Sequence, residues 1–124
     1  MIKPQKDFPL LDKYKERFAV TENTIFAYDN EIYSNSPLPN HLIVHEEEHH
    51  KQQERDGLDY WVENYLNNNE YRLQQEIEAY RAQLKSVKDR NTRYKLQIEC
   101  AKNLSSDLYG DIISYSEAMK AIKI

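Results

Sequence analysis

The chain has 124 residues, 40% of them hydrophobic and 31% charged, which suits one soluble domain. Its net charge of −4 is spread as interspersed acid and base, and the most basic stretch, Lys3 to Arg17, is diluted by Asp7, Asp12 and Glu16, so no nucleic-acid footprint is present. A lone cysteine, Cys100, excludes a disulfide framework and a cysteine-ligated zinc, and the absence of a transmembrane-length apolar run or signal-peptide core leads us to expect no membrane partner and a cytoplasmic location.

Leu10, Leu11, Tyr14 and Phe18 recur at helical spacing and predict a short first helix after Pro9. The stretch FAVTENTIFAYDNEIYS is rich in β-branched and aromatic residues. It predicts a small antiparallel sheet, with Ile25 to Tyr28 and Ile32 to Ser34 paired as a hairpin about Asp29-Asn30. Ser36 to Asn40 is punctuation, with Asn40 as a cap for a second helix from about His41 to Asp56 that stops at Gly57.

Leu58, Trp61, Val62, Tyr65 and Leu66 give a third helix its stripe, and Asn67-Asn68-Asn69 breaks it. A fourth helix, from about Glu70 to Lys88, carries Leu73, Ile77, Tyr80, Leu84 and Val87 on one face. Asn91-Thr92 opens a fifth, with Tyr94, Ile98, Ala101 and Leu104. Ser105-Ser106-Asp107 caps a sixth, with Leu108, Ile112, Tyr115, Met119 and Ile122. No repeat or linker divides the chain. The expected fold is therefore α+β, mostly α, a single domain over residues 1–124. A small N-terminal antiparallel sheet precedes the second helix and about four more.

The second helix is the anomaly. Residues 45 to 57, HEEEHHKQQERDG, include no aliphatic or aromatic side chain, whereas a helix normally docks by an apolar stripe. All four histidines lie between positions 41 and 50. His45 and His49 stand four residues apart, about 40° around a helix, so both imidazoles can reach one metal ion. Glu46 directly follows the first histidine, where it can accept a proton from a metal-bound water whose pKa the metal lowers. Gln53 continues the stripe and is expected to supply hydrogen bonds around the metal. A stripe of that kind docks by coordination, which leaves Glu47, Lys51 and Arg55 to solvent. The competing reading is a surface helix laced with i,i+4 charge pairs.

A catalytic zinc commonly has three protein ligands, and no further histidine follows Gly57. The segment EYRLQQEIEAYRAQ offers Glu70, Glu76 and Glu78. With Leu73 set at 0°, its apolar partners fall within about 40°, Glu76 at about −60° and Glu78 at about 140°. Glu70 has an acceptable angle but sits at the helix start, where the dipole already favours a carboxylate. Glu76, at the edge of the buried face, is the preferred third ligand. His50 is turned about 100° from His49 and reads as a surface residue. His41, at the helix start, reads as structural.

His45-Glu46-x-x-His49 with a glutamate on a later helix resembles the gluzincin metallopeptidases. Members commonly carry the third ligand in a Glu-x-x-Ala segment, and Glu76-Ile77-Glu78-Ala79 matches it. The resemblance spans about residues 17 to 88 and is closest to small phage and bacterial members. It implies a minimal zincin-like fold, Zn²⁺ held by His45, His49 and Glu76, and Glu46 as general base. A peptide or protein would be the substrate, aligned by the strand around Ile25 to Tyr28. It also implies an electrophile for the oxyanion. Tyr80 stands where related sequences often carry an acid or Asn and is the first candidate, Arg72 the second; Tyr80 as a plain core residue is an equal reading. A virion-associated location is compatible with the phage resemblance. Two other readings stay open: a zinc-stabilised binding or structural module, such as a phage accessory protein, and a metal-free helical interaction protein.

Overall fold

A computed structural model describes residues 2–124. The fold is mostly helical with a small sheet near the N-terminus, as the sequence predicts. In chain order the elements are β1 (Ile2–Lys3), α1 (Leu11–Arg17), β2 (Phe26–Tyr28), β3 (Glu31–Tyr33), α2 (Asn40–Asp56), α3 (Leu58–Asn67), α4 (Asn69–Lys85), α5 (Arg90–Leu104) and α6 (Tyr115–Ile122), with short 3₁₀ turns at Gln5–Asp7 and Asp107–Tyr109.

The hairpin β2–β3 is antiparallel, with Ala27 opposite Ile32 and Tyr28 opposite Glu31. Asp29 and Asn30 both take positive φ, 50° and 65°. That is the type I′ geometry whose twist matches the strands, and short polar side chains tolerate it. The sheet is not purely antiparallel, however. Two residues at the N-terminus add a third strand, β1, parallel to β3, in the order β1-β3-β2. A pair of residues carries no period-two pattern, so nothing in the sequence marks that strand.

Helix boundaries follow capping chemistry. Pro39, not Asn40, takes the cap position of α2. Asn68 accepts from the amide of Tyr71 to open α4, and Asp89 accepts from Thr92 to open α5. At Gly57 the backbone has φ 91°, which ends α2 and starts α3 with almost no linker. The expected sixth helix is broken. A 3₁₀ turn covers Asp107–Tyr109, positive φ at Gly110 and Asp111 interrupts the chain, and Ser114 caps a shorter α6. Tyr94, assigned to the inner stripe of α5, is 59% exposed. The buried face of that helix is Cys100, Ala101 and Leu104.

Two cores result. One is aromatic: Phe8, Tyr14, Phe26, Tyr33, Trp61 and Tyr65 with Leu66. Trp61 and Tyr65 stack with centroids 4.6 Å apart, the offset-stacked geometry that aromatic pairs favour. The other is mainly aliphatic: Tyr80, Leu84, Cys100, Ala101, Leu104, Ala118 and Ile122, from α4, α5 and α6. Each fully buried Leu or Ile there contributes about 1.5–3 kcal/mol by leaving water. Between the two cores runs the polar α2, packed against α4, α3 and β2. No helix among the described residues is long and apolar enough to cross a membrane.

Candidate metal centre

α2 buries His45, Glu46, His49, Gln52 and Gln53, and exposes Glu47, Lys51 and Arg55. It docks by hydrogen bonds rather than by a greasy stripe. That is tenable only if each buried polar atom is partnered. Among the described residues, no buried side-chain nitrogen or oxygen lacks a partner.

The centre of this network is Glu76 on α4, 1% exposed. Its Oε1 lies 3.1 Å from His45 Nε2 and its Oε2 lies 3.1 Å from His49 Nε2. One ligating atom from each of the three residues falls within 4.8 Å of the others, so the buried His45–His49–Glu76 group can hold a metal ion. The donors fit that role. Both Nε2 atoms face the same carboxylate, and the opposite nitrogen of each ring is engaged elsewhere. His45 Nδ1 donates to Gln83 Oε1 at 2.9 Å, and His49 Nδ1 donates to Gln52 Oε1 at 2.8 Å. Tyr65 Oη donates to Glu76 Oε2 at 2.6 Å, bracing the carboxylate from α3.

Electrostatics follow from enclosure. Burial alone would lower His49, but the Glu76 carboxylate outweighs it and lifts the imidazole to about 9. Burial alone would raise Glu76, but His49 and the hydrogen bonds from both imidazoles hold it well below the usual carboxylate range. Glu46 goes the other way. Burial raises it, opposed by His45 and His49 and reinforced by Glu76. Its carboxylate lines the cavity, with His45 Nε2 3.9 Å away. Burial also raises Tyr65 and Tyr80 well above 10, with Glu76 adding to both, so each hydroxyl keeps its proton and can donate.

His45, Glu46, His49 and Glu76 line a cavity of about 410 Å³. Its other walls come from both cores: Phe18 to Ala27 on the sheet side, and Tyr80, Leu108 and Tyr109 on the other. Tyr80 therefore does reach the site. Its ring packs edge-on against His45 with centroids 4.5 Å apart, and its hydroxyl meets that of Tyr109 at 2.9 Å. Arg72 does not line the cavity. Its guanidinium donates to the carbonyls of Tyr65 and Tyr109 and stacks 5.1 Å over Phe18.

Gln53 serves the sheet. Its Nε2 donates to Ala27 O at 2.8 Å, and its Oε1 accepts from the Asp29 amide at 3.2 Å. The hydrogen bonds to the histidines come from Gln52 and Gln83. His50 is partly buried and donates to the Glu31 carbonyl at 2.9 Å, a second tether to the hairpin. Gln83 and Tyr65 are site residues that the sequence reading missed. Gln83 did carry a signal: it falls seven residues after Glu76, two turns along the same line of α4. Compared with known protein families, curated proteins and solved structures, the chain matches none.

Proposed function

We propose that the protein is a zinc-dependent metallopeptidase that hydrolyses peptide bonds in a peptide or protein substrate, with Glu46 as general base. Zinc is the ion that the two imidazoles and one carboxylate favour. His45, His49 and Glu76 would hold it. When bound, it supplies Lewis acidity: it brings the pKa of a coordinated water toward neutrality and polarises a carbonyl.

The observation that carries the proposal is Glu46. Glu46 is an enclosed side chain whose carboxylate faces the cavity rather than a protein donor, and a carboxylate in so enclosed a place is costly to the fold. It belongs where a proton must be taken and returned. With its pKa raised by burial, Glu46 can accept a proton from the attacking water and hand it to the leaving amine. Tyr80 and Tyr109 offer protonated hydroxyls in the same cavity for the developing oxyanion. Tyr65 and the two glutamines keep the ligands oriented.

The experiment is Glu46→Gln, which preserves shape and removes the base. Hydrolysis of a casein or peptide-library substrate is expected to vanish, while zinc content and melting temperature hold. Full activity in Glu46→Gln overturns the mechanism. A zinc-stabilised module without catalysis is the second reading, favoured by the way the three ligands tie α2 to α4. Under that reading the wild type binds zinc, cleaves nothing, and does not register the substitution.

A further inference from the structure

The two ligand histidines are oriented by glutamine amides, but the two amides are held in different ways. Gln52 is fixed by groups with only one possible hydrogen-bonding sense. Its Nε2 donates to the Gln75 carbonyl and the Glu78 carboxylate, both at 3.0 Å, and its Oε1 also accepts from the Trp61 indole at 3.2 Å. Neither acceptor can donate and the indole cannot accept. The oxygen of Gln52 therefore has to face His49 Nδ1.

Gln83 has no such guarantee. Its Oε1 meets His45 Nδ1, and among the described residues the partner of its Nε2 is His41 Nδ1, at 2.8 Å. A neutral imidazole nitrogen either donates or accepts, according to its tautomer. If His41 accepts at Nδ1, the Gln83 oxygen faces His45 and holds a proton on Nδ1, so that a metal ion taking the place of the Nε2–Glu76 hydrogen bond would meet the Nε2 lone pair. If the amide turns over, its NH₂ group faces His45 Nδ1 and drives the proton onto Nε2, the atom a metal needs. Only one sense of the chain His41–Gln83–His45 is compatible with ligation.

Resting on the metal-centre reading above, we infer that His41 is a positioning residue for the metal centre: by accepting from Gln83 it sets which nitrogen of His45 is available. It lies one turn before His45 on the same helix and is not one of the three ligands. The histidine cluster between positions 41 and 50 thus divides by task. His45 and His49 face Glu76, His50 tethers the hairpin, and His41 sets the amide.

The test is zinc affinity, by competition with a chromogenic chelator, in wild type, His41→Ala and His41→Ala combined with Gln83→Glu. Partners that orient metal-bound histidines are worth about 10- to 100-fold in affinity. His41→Ala acts at one remove, so a loss of about tenfold, the low end of that range, is expected. A carboxylate at position 83 accepts from His45 whichever way it turns, so the double variant should recover affinity close to wild type. Unchanged affinity in His41→Ala overturns the inference, and so does a loss that Gln83→Glu fails to recover. A wild-type chain that binds no zinc overturns the metal centre itself, a separate result from either.

Discussion

Glu76 shows how much one side chain can hold. It faces both imidazoles, accepts from Tyr65, and sits between the two cores. In the metal-free protein its partner His49 has a raised pKa. The contribution of His49 to stability is therefore complete below its unfolded value of 6.5 and is lost as pH rises through its folded value near 9. Glu76, lowered, contributes above 4.5 and loses that contribution as pH falls. In the presence of chelator, the urea midpoint of wild type should fall between pH 6.5 and 9 relative to that of His49→Ala. Parallel curves for the two proteins would show that no proton is shared between His49 and Glu76. The four acidic and imidazole groups of the centre could be named from the sequence. The spacing of His45, Glu46 and His49 is local to one helix, and the helical wheel of α4 singled out Glu76 from its neighbours. Tyr65 and Gln52 could not be singled out in that way, and Gln83 was marked only by its seven-residue offset from Glu76. An uncharged hydrogen-bond donor or acceptor looks the same on a helical wheel whether it faces a histidine or the solvent.

At the scale of the element, α2 was legible as a helix because His41 to Asp56 carries good helix formers and is followed by Gly57, whose φ of 91° ends it. What it packs against was not legible, because polar docking has no periodicity to read. α4 illustrates the same gap. Leu73, Ile77 and Leu84 suggested its inner face, yet its buried residues include Arg72, Gln75, Glu76 and Gln83. The apolar stripe serves the aliphatic core, and the polar line beside it receives α2. Gln53 separates the roles cleanly. Replacing it with Leu strands the Ala27 carbonyl and the Asp29 amide, both of which it bonds. A cost of about 1–3 kcal/mol in chemical denaturation is expected from the lost partner, with zinc affinity unchanged. A variant as stable as wild type, or one that loses zinc, would contradict the division of labour between Gln53 and the two glutamines that face histidines.

Across the whole molecule, the His45–His49–Glu76 group lies on the seam between an aromatic core near the N-terminus and an aliphatic core near the C-terminus. The stripes supplied part of each core, such as Tyr14, Trp61 and Tyr65 in one and Leu84, Leu104 and Ile122 in the other, but missed Phe8, Cys100 and Ala118 and wrongly included the exposed Tyr94 and Tyr115. That they meet across a layer of carboxylates, imidazoles and amides was not readable, since long-range pairing leaves no local mark. If the group binds zinc as proposed, the seam would join folding and metal binding in one equilibrium. Free zinc at 100 times its dissociation constant should add about 2.7 kcal/mol to the unfolding free energy. The melting temperature should rise accordingly, fall again with chelator, and be indifferent to zinc in Glu76→Ala. An equal zinc response in that variant would place the ion elsewhere.

The polar docking of α2 also bears on what sequence change the protein can absorb. A greasy stripe is forgiving: a helix that slips by a residue still finds hydrophobic neighbours. Here each contact is a particular atom meeting a particular atom, from His45 through His49 to Gln53. A single inserted or deleted residue within that span turns everything beyond it by about 100°. It would aim Gln53 away from the hairpin or His45 away from Glu76, with no second-best arrangement to fall into. Descendants of this chain can vary the outward Glu47 and Lys51 with little consequence, but α2 tolerates substitutions far better than it tolerates any change of length.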